Sequence, residues 1–202
     1  MDSSYVDLAD PSHLEFDYMR WLRSVVLTVR ARRNLHIGGG ACALPRALAL
    51  RDPGGLQVVC EIDAEVLALA RRHLGLRRAP GLRVRHADGG QWLARQAERS
   101  FDAIIVDAFV GAALPPALFT AETLRSGARV APFMLINIVD DRADRVVHAV
   151  AATLADVHSA VWRLTGRSAN TVLLGGELGP GAAERLSARL ARDPSPARLA
   201  RL

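Results

Sequence analysis

The chain has 202 residues, half of them apolar and 23% charged, with a mean hydropathy of +0.12. These values predict one globular domain and exclude a disordered chain and, with only two cysteines, a disulfide-rich scaffold. The net charge is +5, and all 26 basic residues are arginines, scattered and often next to acids. We interpret them as a solvated surface and expect no nucleic-acid partner.

The sequence also indicates where the protein is found. No apolar run reaches the roughly 18–20 residues that a membrane span needs, so we expect no membrane partner. The polar, acidic start at 1–13 resembles neither a secretory signal nor a transit peptide. We therefore expect a cytoplasmic protein, and its arginine-rich, lysine-free composition favours a bacterial source.

Hydrophobic periodicity predicts helices and strands that alternate along the chain. The first predicted elements are an amphipathic helix at 12–30 and a short strand at 34–40 that runs into three glycines. Further strands are predicted at 57–63, 82–88, 100–109, 129–141, 157–164 and 170–176. Further helices are predicted at 43–51, 64–75, 89–98, 117–127 and 142–155. The tail 180–202 is predicted to be a modest helix followed by frayed residues.

This alternation predicts an α/β fold with a doubly wound, mostly parallel sheet of seven strands. Only a polar turn separates the last two strands, so we expect them to be antiparallel. The predicted division is a helical segment at 1–33, the sheet-bearing domain at 34–180, and a C-terminal helix and tail at 181–202.

Glycines follow the first predicted strand, at the sheet edge where open α/β sheets bind ligands. Gly38, Gly39 and Gly40 let the backbone approach a ligand closely and lead into a helix whose free N–H groups suit an anion. The run GGGACA also fits the loose dinucleotide-binding pattern, with Glu61 near the offset of a ribose-binding acid. A tight structural turn is the alternative interpretation.

Carboxylates follow the next two predicted strands. Glu61 is placed to accept both hydroxyls of a ribose, whereas Asp63, directly before a helix, is the better helix cap. Asp88 is suited either to accepting a hydrogen bond from an adenine amino group or to capping the next helix. Together they indicate an adenosine-containing ligand and leave open a dinucleotide or S-adenosylmethionine.

Asp107 ends the apolar run AIIVD, so we expect it to emerge at the same edge beside apolar walls. Desolvation there raises the pKa of a carboxyl group, which suits Asp107 to deprotonating an amine or holding a cation. An ordinary strand-end acid is the alternative. The apolar, proline-bearing segment 108–119 is suited to covering a small substrate. No histidine or cysteine has a second ligand at metal-binding spacing, so no metal is expected.

These motifs resemble the spermidine synthase (polyamine aminopropyltransferase) family, within the class I S-adenosylmethionine-dependent methyltransferase fold. The segments that carry the resemblance are LHIGGGACALPR (35–46), VVCEIDAEVLALAR (58–71), VRHADGGQWL (84–93) and FDAIIVDAFVGAALPPALFTAETL (101–124). Their order and spacing match the family over roughly 14–140. NIVDD (137–141) and GRSANTVLLGG (166–176) are similar to shorter, divergent bacterial members.

The resemblance implies a cofactor, either S-adenosylmethionine or its decarboxylated form, in a Rossmann-like domain. It places the glycine loop 38–40 along the methionine-derived part of that cofactor. Glu61, with Ile62 beside it, would bind the ribose. Asp88, with Gly89, would bind the adenine.

The same resemblance assigns the substrate side of the site. Asp107 would accept the proton of the attacking amine, and Tyr18 and Asn137 would line the pocket of a small-molecule substrate. The predicted function is the transfer of an aminopropyl or methyl group to a small nucleophile. The alternatives are a catalytically silent binding module and an NAD-dependent oxidoreductase, although a chain without lysine has no Tyr-x-x-x-Lys pair.

Three departures from the family bear on the reaction. Ala41 replaces an Asp that pairs with the amine of the decarboxylated cofactor, and 108–111 lacks the family's second acid and proline. The helical segment 1–33 stands in place of an N-terminal β-hairpin domain. The first two losses favour methyl transfer, whereas the family itself favours aminopropyl transfer. A homodimer is one way to cover the site, with segment 108–119 as the expected contact.

Overall fold

The computed structural model describes residues 5–76, 79–109, 114–139 and 144–202. Its strands are β1 (Arg33–Ile37), β2 (Leu56–Glu61), β3 (Leu82–His86), β4 (Ala103–Val106), β5 (Phe133–Val139), β6 (Val161–Thr165), β7 (Asn170–Gly175) and β8 (Arg198–Arg201). Its helices are α1 (Asp17–Val29), α2 (Ala43–Arg51), α3 (Ala64–His73), α4 (Gly89–Ala94), α5 (Ala121–Val130), α6 (Arg145–Ala155) and α7 (Ala182–Ala191), with a 3-10 turn at Pro116–Phe119.

All the strands above join one sheet in the order β3-β2-β1-β4-β5-β7-β6-β8. The first five strands are parallel to one another, because each connection between them returns to the same edge of the sheet through a helix. β7 runs antiparallel to β5 and to β6, and β8 runs antiparallel to β6. The predicted doubly wound sheet and its antiparallel final pair are confirmed.

Helices cover both faces of the sheet. α1, α2, α3 and α7 pack their apolar sides on one face, and α4, α5 and α6 pack on the other. The central strands β4 and β5 read as nearly continuous apolar runs because they are buried on both faces. None of the helices in the described segments is long and apolar enough to cross a membrane.

The N-terminal helix is fastened to the C-terminal part of the chain. Arg20 of α1 forms an ion pair with Asp193, 3.0 Å between Nε and Oδ1, in which both side chains are mostly buried. The indole N–H of Trp21, a fully buried residue, donates to the backbone carbonyl of Ser195 at 3.0 Å. These bonds fix the position of α1, and α1 carries Tyr18.

The structure differs from the sequence-based expectation at both ends. The helix predicted at 12–30 begins only at Asp17, because 12–16 forms a turn and an extended stretch. The tail expected to fray instead forms β8, an eighth strand that pairs with β6. Packing explains this strand, since Arg201 lies over the ring of Trp162 on β6 at 5.5 Å.

Some predicted features fall outside the described residues. These are the middle of the apolar segment 108–119, at 110–113, and the junction between the strand predicted at 129–141 and the helix predicted at 142–155, at 140–143. The three-part division of the chain stays a prediction.

Candidate active site at the carboxyl edge of the sheet

The predicted cofactor and substrate residues come from neighbouring strands. β3, β2, β1 and β4 lie side by side and run in the same direction, so their carboxyl ends meet at one edge of the sheet. The glycine loop follows β1, Glu61 ends β2, Asp88 follows β3 and Asp107 follows β4. The fold therefore brings these four features to a common edge, where open α/β sheets bind ligands.

The glycine loop is tightly packed against its neighbours. Gly38 has a φ of +82°, a conformation that L side chains rarely adopt, and a Cβ there would lie against the backbone carbonyl of Asp107. A Cβ on Gly39 would come within 2.5 Å of Val59. The loop thus needs glycine at both positions, and it lies in direct contact with the segment that carries Asp107.

Glu61 holds the glycine loop in place. One of its carboxylate oxygens accepts hydrogen bonds from the backbone N–H groups of Gly39 and Gly40, at 2.8 and 3.0 Å. The other accepts from the backbone N–H of Asp63 at 3.0 Å. Sequence reasoning placed this carboxylate at the site but did not foresee its bonds to the loop, which depend on how the β1 and β2 ends align.

The two other acids that follow β2 and β3 act as helix caps. The Asp63 side chain accepts from the backbone N–H groups of Glu65 and Val66 at the start of α3, as predicted. The Asp88 side chain accepts from the N–H of Gln91 at the start of α4, which was the alternative interpretation of this residue. Capping leaves the adenine role of Asp88 a prediction.

Ile62 and Gly89 have different surroundings. Ile62 is 65% exposed, an unusual position for a large apolar side chain, and its carbonyl lies 3.0 Å from the imidazole Nε2 of His86. Gly89 is buried, and a Cβ there would overlap the side chain of Ile37. Close packing between α4 and β1 therefore already requires glycine at 89.

Asp107 stands at the end of β4 and accepts two side-chain hydrogen bonds. The Tyr18 hydroxyl donates to Oδ2 at 3.1 Å, and the Asn137 amide donates to Oδ1 at 2.8 Å. Burial raises the pKa of the Asp107 carboxyl above its usual value, while both hydrogen bonds oppose this rise. Burial, followed by the charge of Asp107, raises the pKa of Tyr18, so this phenol remains a donor.

Asn170 completes this group, and sequence reasoning missed it. Its side-chain amide donates to Oδ1 of Asn137 at 3.0 Å. Asn170 begins β7, which pairs antiparallel with β5, and the register places it opposite Val139. A polar residue at the start of a mostly apolar strand was the available signal, but only the strand register shows which residue it faces.

The rest of the described chain offers no alternative centre of this kind. Among the described residues, no group of three or more His, Cys, Asp or Glu side chains is placed to hold a metal ion. Cys42 and Cys60 are both buried, and burial raises the pKa of their thiols to about 12 and about 11. These shifts disfavour the thiolate form that a nucleophilic cysteine needs.

Comparison with known sequences identifies one kind of relative. No family model matches the chain. A polyamine aminopropyltransferase of Vibrio vulnificus (strain CMCP6) is 31% identical over 123 residues, which amount to 59% of this chain and 41% of that protein. The chain thus spans about two fifths of the length of this relative.

Comparison with solved structures agrees with the sequence. A probable spermidine synthase from Corynebacterium glutamicum ATCC 13032 has a TM-score of 0.83 and 27% identity, covering 94% of this chain and 76% of that one. A spermidine synthase in complex with the transition-state analogue AdoDATO has a TM-score of 0.71 and 19% identity, covering 88% and 66%. Human methyltransferase-like protein 13 in complex with SAH has a TM-score of 0.67 and 21% identity, covering 88% and 90%.

These likenesses confirm two expectations drawn from the sequence. The chain resembles spermidine synthases both in sequence and in structure. Its sheet and helices have the class I methyltransferase-like fold. The two likenesses below 25% identity show the fold alone.

Proposed function

From this resemblance to spermidine synthases, we propose that the protein binds S-adenosylmethionine, or its decarboxylated form, at the carboxyl edge of the sheet. There it transfers an alkyl group, aminopropyl or methyl, from the sulfonium to a small nucleophile. The observation that carries the proposal is the contact between the glycine loop and the segment of Asp107, because it joins a cofactor-type loop to a partly buried carboxylate whose pKa is raised.

The cofactor side of the proposal rests on the loop and the acids beside it. Ligand binding would exchange the bonds that Glu61 accepts from the glycine loop for bonds that the ribose hydroxyls donate to Glu61. The exposed side chain of Ile62 offers an apolar surface for the flat adenine ring. Asp88, at the start of α4, would accept a hydrogen bond from the adenine amino group.

The chemical step needs mainly positioning and a proton acceptor. The lone pair of an amine nucleophile forms a bond to the carbon next to sulfur. The carbon–sulfur bond breaks, and its electron pair stays on sulfur, which becomes a neutral thioether. The ammonium formed on the nucleophile gives its proton to the Asp107 carboxylate, whose raised pKa suits it to this acceptance.

The residue at position 41 bears on which alkyl group is transferred. An uncharged Ala41 leaves the loop without the Asp that would pair with the amine of a decarboxylated cofactor. An unpaired ammonium in a partly buried site costs about a few kcal/mol. This favours the ordinary cofactor and methyl transfer, while the 31% identity to a polyamine aminopropyltransferase favours aminopropyl transfer.

Calorimetric titration with four ligands tests the binding proposal. We expect S-adenosylmethionine or its decarboxylated form to bind more tightly than NAD, with methylthioadenosine reporting the affinity of the adenosyl part alone. The tighter of the two sulfonium ligands identifies the transferred group. Tight binding of NAD alone, or binding of none of the four, contradicts the proposal.

Replacing Asp107 tests the mechanism. Asp107→Asn keeps the size of the side chain but cannot accept the proton, so we expect turnover with an amine acceptor to be lost. We expect cofactor affinity to stay within about tenfold, because the carboxylate faces the nucleophile. The matched control is Asp156→Asn, an exposed acid at the end of α6, which we expect to leave both quantities unchanged. An unchanged rate in Asp107→Asn removes Asp107 from the mechanism.

A further inference from the structure

Four side chains, three from helices and strands and one from the residue that follows β4, form a continuous line of hydrogen bonds. Tyr18 from α1 and Asn137 from β5 both donate to Asp107, and Asn170 from β7 donates to Asn137. Asn137 is almost fully buried, at 1% exposure. Its amide therefore has to find its hydrogen-bond partners among the neighbouring side chains rather than in water.

The orientation of the Asn137 amide decides how it acts on Asp107. An asparagine side chain has a donor end and an acceptor end of nearly the same shape, which a half-turn exchanges. With the NH₂ end toward Asp107, as observed, the amide stabilises the carboxylate. With the oxygen end toward Asp107, two acceptors would face each other and the carboxylate would be disfavoured.

We propose that Asn170 is a positioning residue that holds the Asn137 amide in the orientation in which its NH₂ group donates to Asp107. Its NH₂ group donates to Oδ1 of Asn137 at 3.0 Å, which requires the oxygen end of Asn137 to point toward β7. The NH₂ end of Asn137 is then left facing Asp107, at 2.8 Å from Oδ1. Asn170 thus acts on Asp107 through Asn137 without touching Asp107 in the described structure.

Few other groups near Asp107 could shift the pKa of its carboxyl group. Tyr18 is the titratable group that faces Asp107 from α1, and Asp17 lies next to it on the same helix. From β5 and β7 the facing groups are the two asparagines, which are uncharged. Among the described residues that face Asp107 from these strands, the orientation of the Asn137 amide is therefore the feature that can change the pKa of the Asp107 carboxyl group.

The role of Asn170 in catalysis rests on the proposed function, but the test of its effect on Asp107 requires no turnover. The pKa of Asp107 is read from the carboxyl ¹³C resonance as pH is varied, with Asp107→Asn used to assign the signal. In Asn170→Leu the side chain keeps its branching at Cγ and loses its donors, so the Asn137 amide is no longer held. We expect the pKa of Asp107 to rise by about one unit. An unchanged pKa in a folded Asn170→Leu overturns the proposal.

A second variant is designed to reverse the orientation of the Asn137 amide. The carboxylate of Asn170→Asp accepts a hydrogen bond, so it would turn the Asn137 amide and present its oxygen to Asp107. The added charge also raises the pKa of Asp107, and the double variant Asn137→Leu/Asn170→Asp, compared with Asn137→Leu, measures that contribution alone. We expect Asn170→Asp to raise the pKa by more than the charge contribution. Equal shifts overturn the proposal, even if Asn170→Leu fails to fold.

The two proposals fail in different ways. If the protein bound none of the four cofactor ligands, the pKa of Asp107 would still respond to Asn170 as described. If Asn170 had no influence on Asp107, the calorimetric result and the loss of turnover in Asp107→Asn would be unaffected.

Discussion

At the scale of single residues, a second cluster of hydrogen-bonded polar side chains lies buried in the core on β1 and β2. The Gln57 side-chain oxygen on β2 accepts from the Asn34 amide at 3.1 Å and lies 2.9 Å from the His36 ring nitrogen. All three residues are at most 2% exposed. Burial lowers the pKa of His36 from 6.5 to about 4, so the neutral imidazole is the form that the folded protein accommodates.

His36 therefore makes stability depend on pH. Its pKa is lower in the folded chain, so the unfolded chain binds the extra proton and stability falls as pH decreases from about 6.5 toward 4. At pH 5 the loss from this group is about 2 kcal/mol. We expect His36→Leu to remove that part of the pH dependence, as measured by urea unfolding at pH 7.5 and pH 5.

The matched control is His148→Leu, which replaces an exposed histidine on α6. It should retain the wild-type loss of stability between the two pH values. In His36→Leu, Gln57 keeps its bond from Asn34, so the Gln57 side-chain oxygen is not left unpaired. A decrease in stability equal to that of the wild type would show that His36 accepts a proton without unfolding.

Some residues of the candidate site could be predicted from the sequence, and others could not. Asp107 and the glycine loop could be predicted because a strand end and a tight turn leave local marks in the sequence. Tyr18 and Asn137 came from the resemblance, and the structure brings both to Asp107, although their roles stay predictions. Asn170 was missed because its partner depends on the pairing of β5 with β7, which no local pattern determines.

At the scale of elements, two acids at the starts of helices along the carboxyl edge have different expected roles. One only caps its helix, whereas the other is also expected to bind the cofactor. Asp63 caps α3 with two backbone hydrogen bonds, and Asp88 caps α4 with one. We expect Asp63→Ala to cost about 1 kcal/mol of stability without changing cofactor affinity. Asp88→Ala should cost a similar amount and also weaken S-adenosylmethionine binding. Urea unfolding and calorimetric titration of both variants measure these effects.

An acid at the C-terminal end of a helix provides a control, because its removal is expected to change stability in the opposite direction. Asp156 is an exposed acid at the C-terminus of α6, where the helix dipole disfavours negative charge. Asp156→Ala should therefore be neutral or slightly stabilising. If Asp63→Ala weakened cofactor binding as strongly as Asp88→Ala, the assignment of Asp63 to capping alone would be wrong.

Most elements could be predicted because their periodicity is local. β4 and β5 are apolar throughout, and the amphipathic helices repeat at steps of three and four. β8 could not be predicted, because RLAR is four residues long, follows two prolines and gains its order from pairing with β6. The expected start of α1 was too early, because apolar residues continue before Asp17 without the chain being helical.

At the scale of the whole molecule, the ion pair between Arg20 and Asp193 joins the two ends of the described chain. Arg20 also donates to two backbone carbonyls, so it keeps partial compensation when Asp193 is removed. We expect Asp193→Ala to cost about 2–3 kcal/mol, since it leaves a largely buried guanidinium without its counter-charge. Urea unfolding measures this loss.

The control uses a pair that is open to solvent. Arg201 and Glu177 are both about half exposed, at 54% and 53% of their side chains. Glu177→Ala should change stability by less than about 0.5 kcal/mol. Equal effects of Asp193→Ala and Glu177→Ala would mean that the Arg20 pair contributes nothing beyond an ordinary surface contact.

The contacts that hold α1 against the C-terminal part of the chain affect the order in which the nascent protein folds. Arg20 and Trp21 are made early, but their partners Asp193 and Ser195 are 173 and 174 residues further along. All five parallel strands leave the ribosome before either partner is synthesised. The helix that carries Tyr18 can therefore be held in place only after residues 193–195 have left the ribosome, and a nascent chain can form most of the sheet while the Tyr18 phenol still lacks a fixed position.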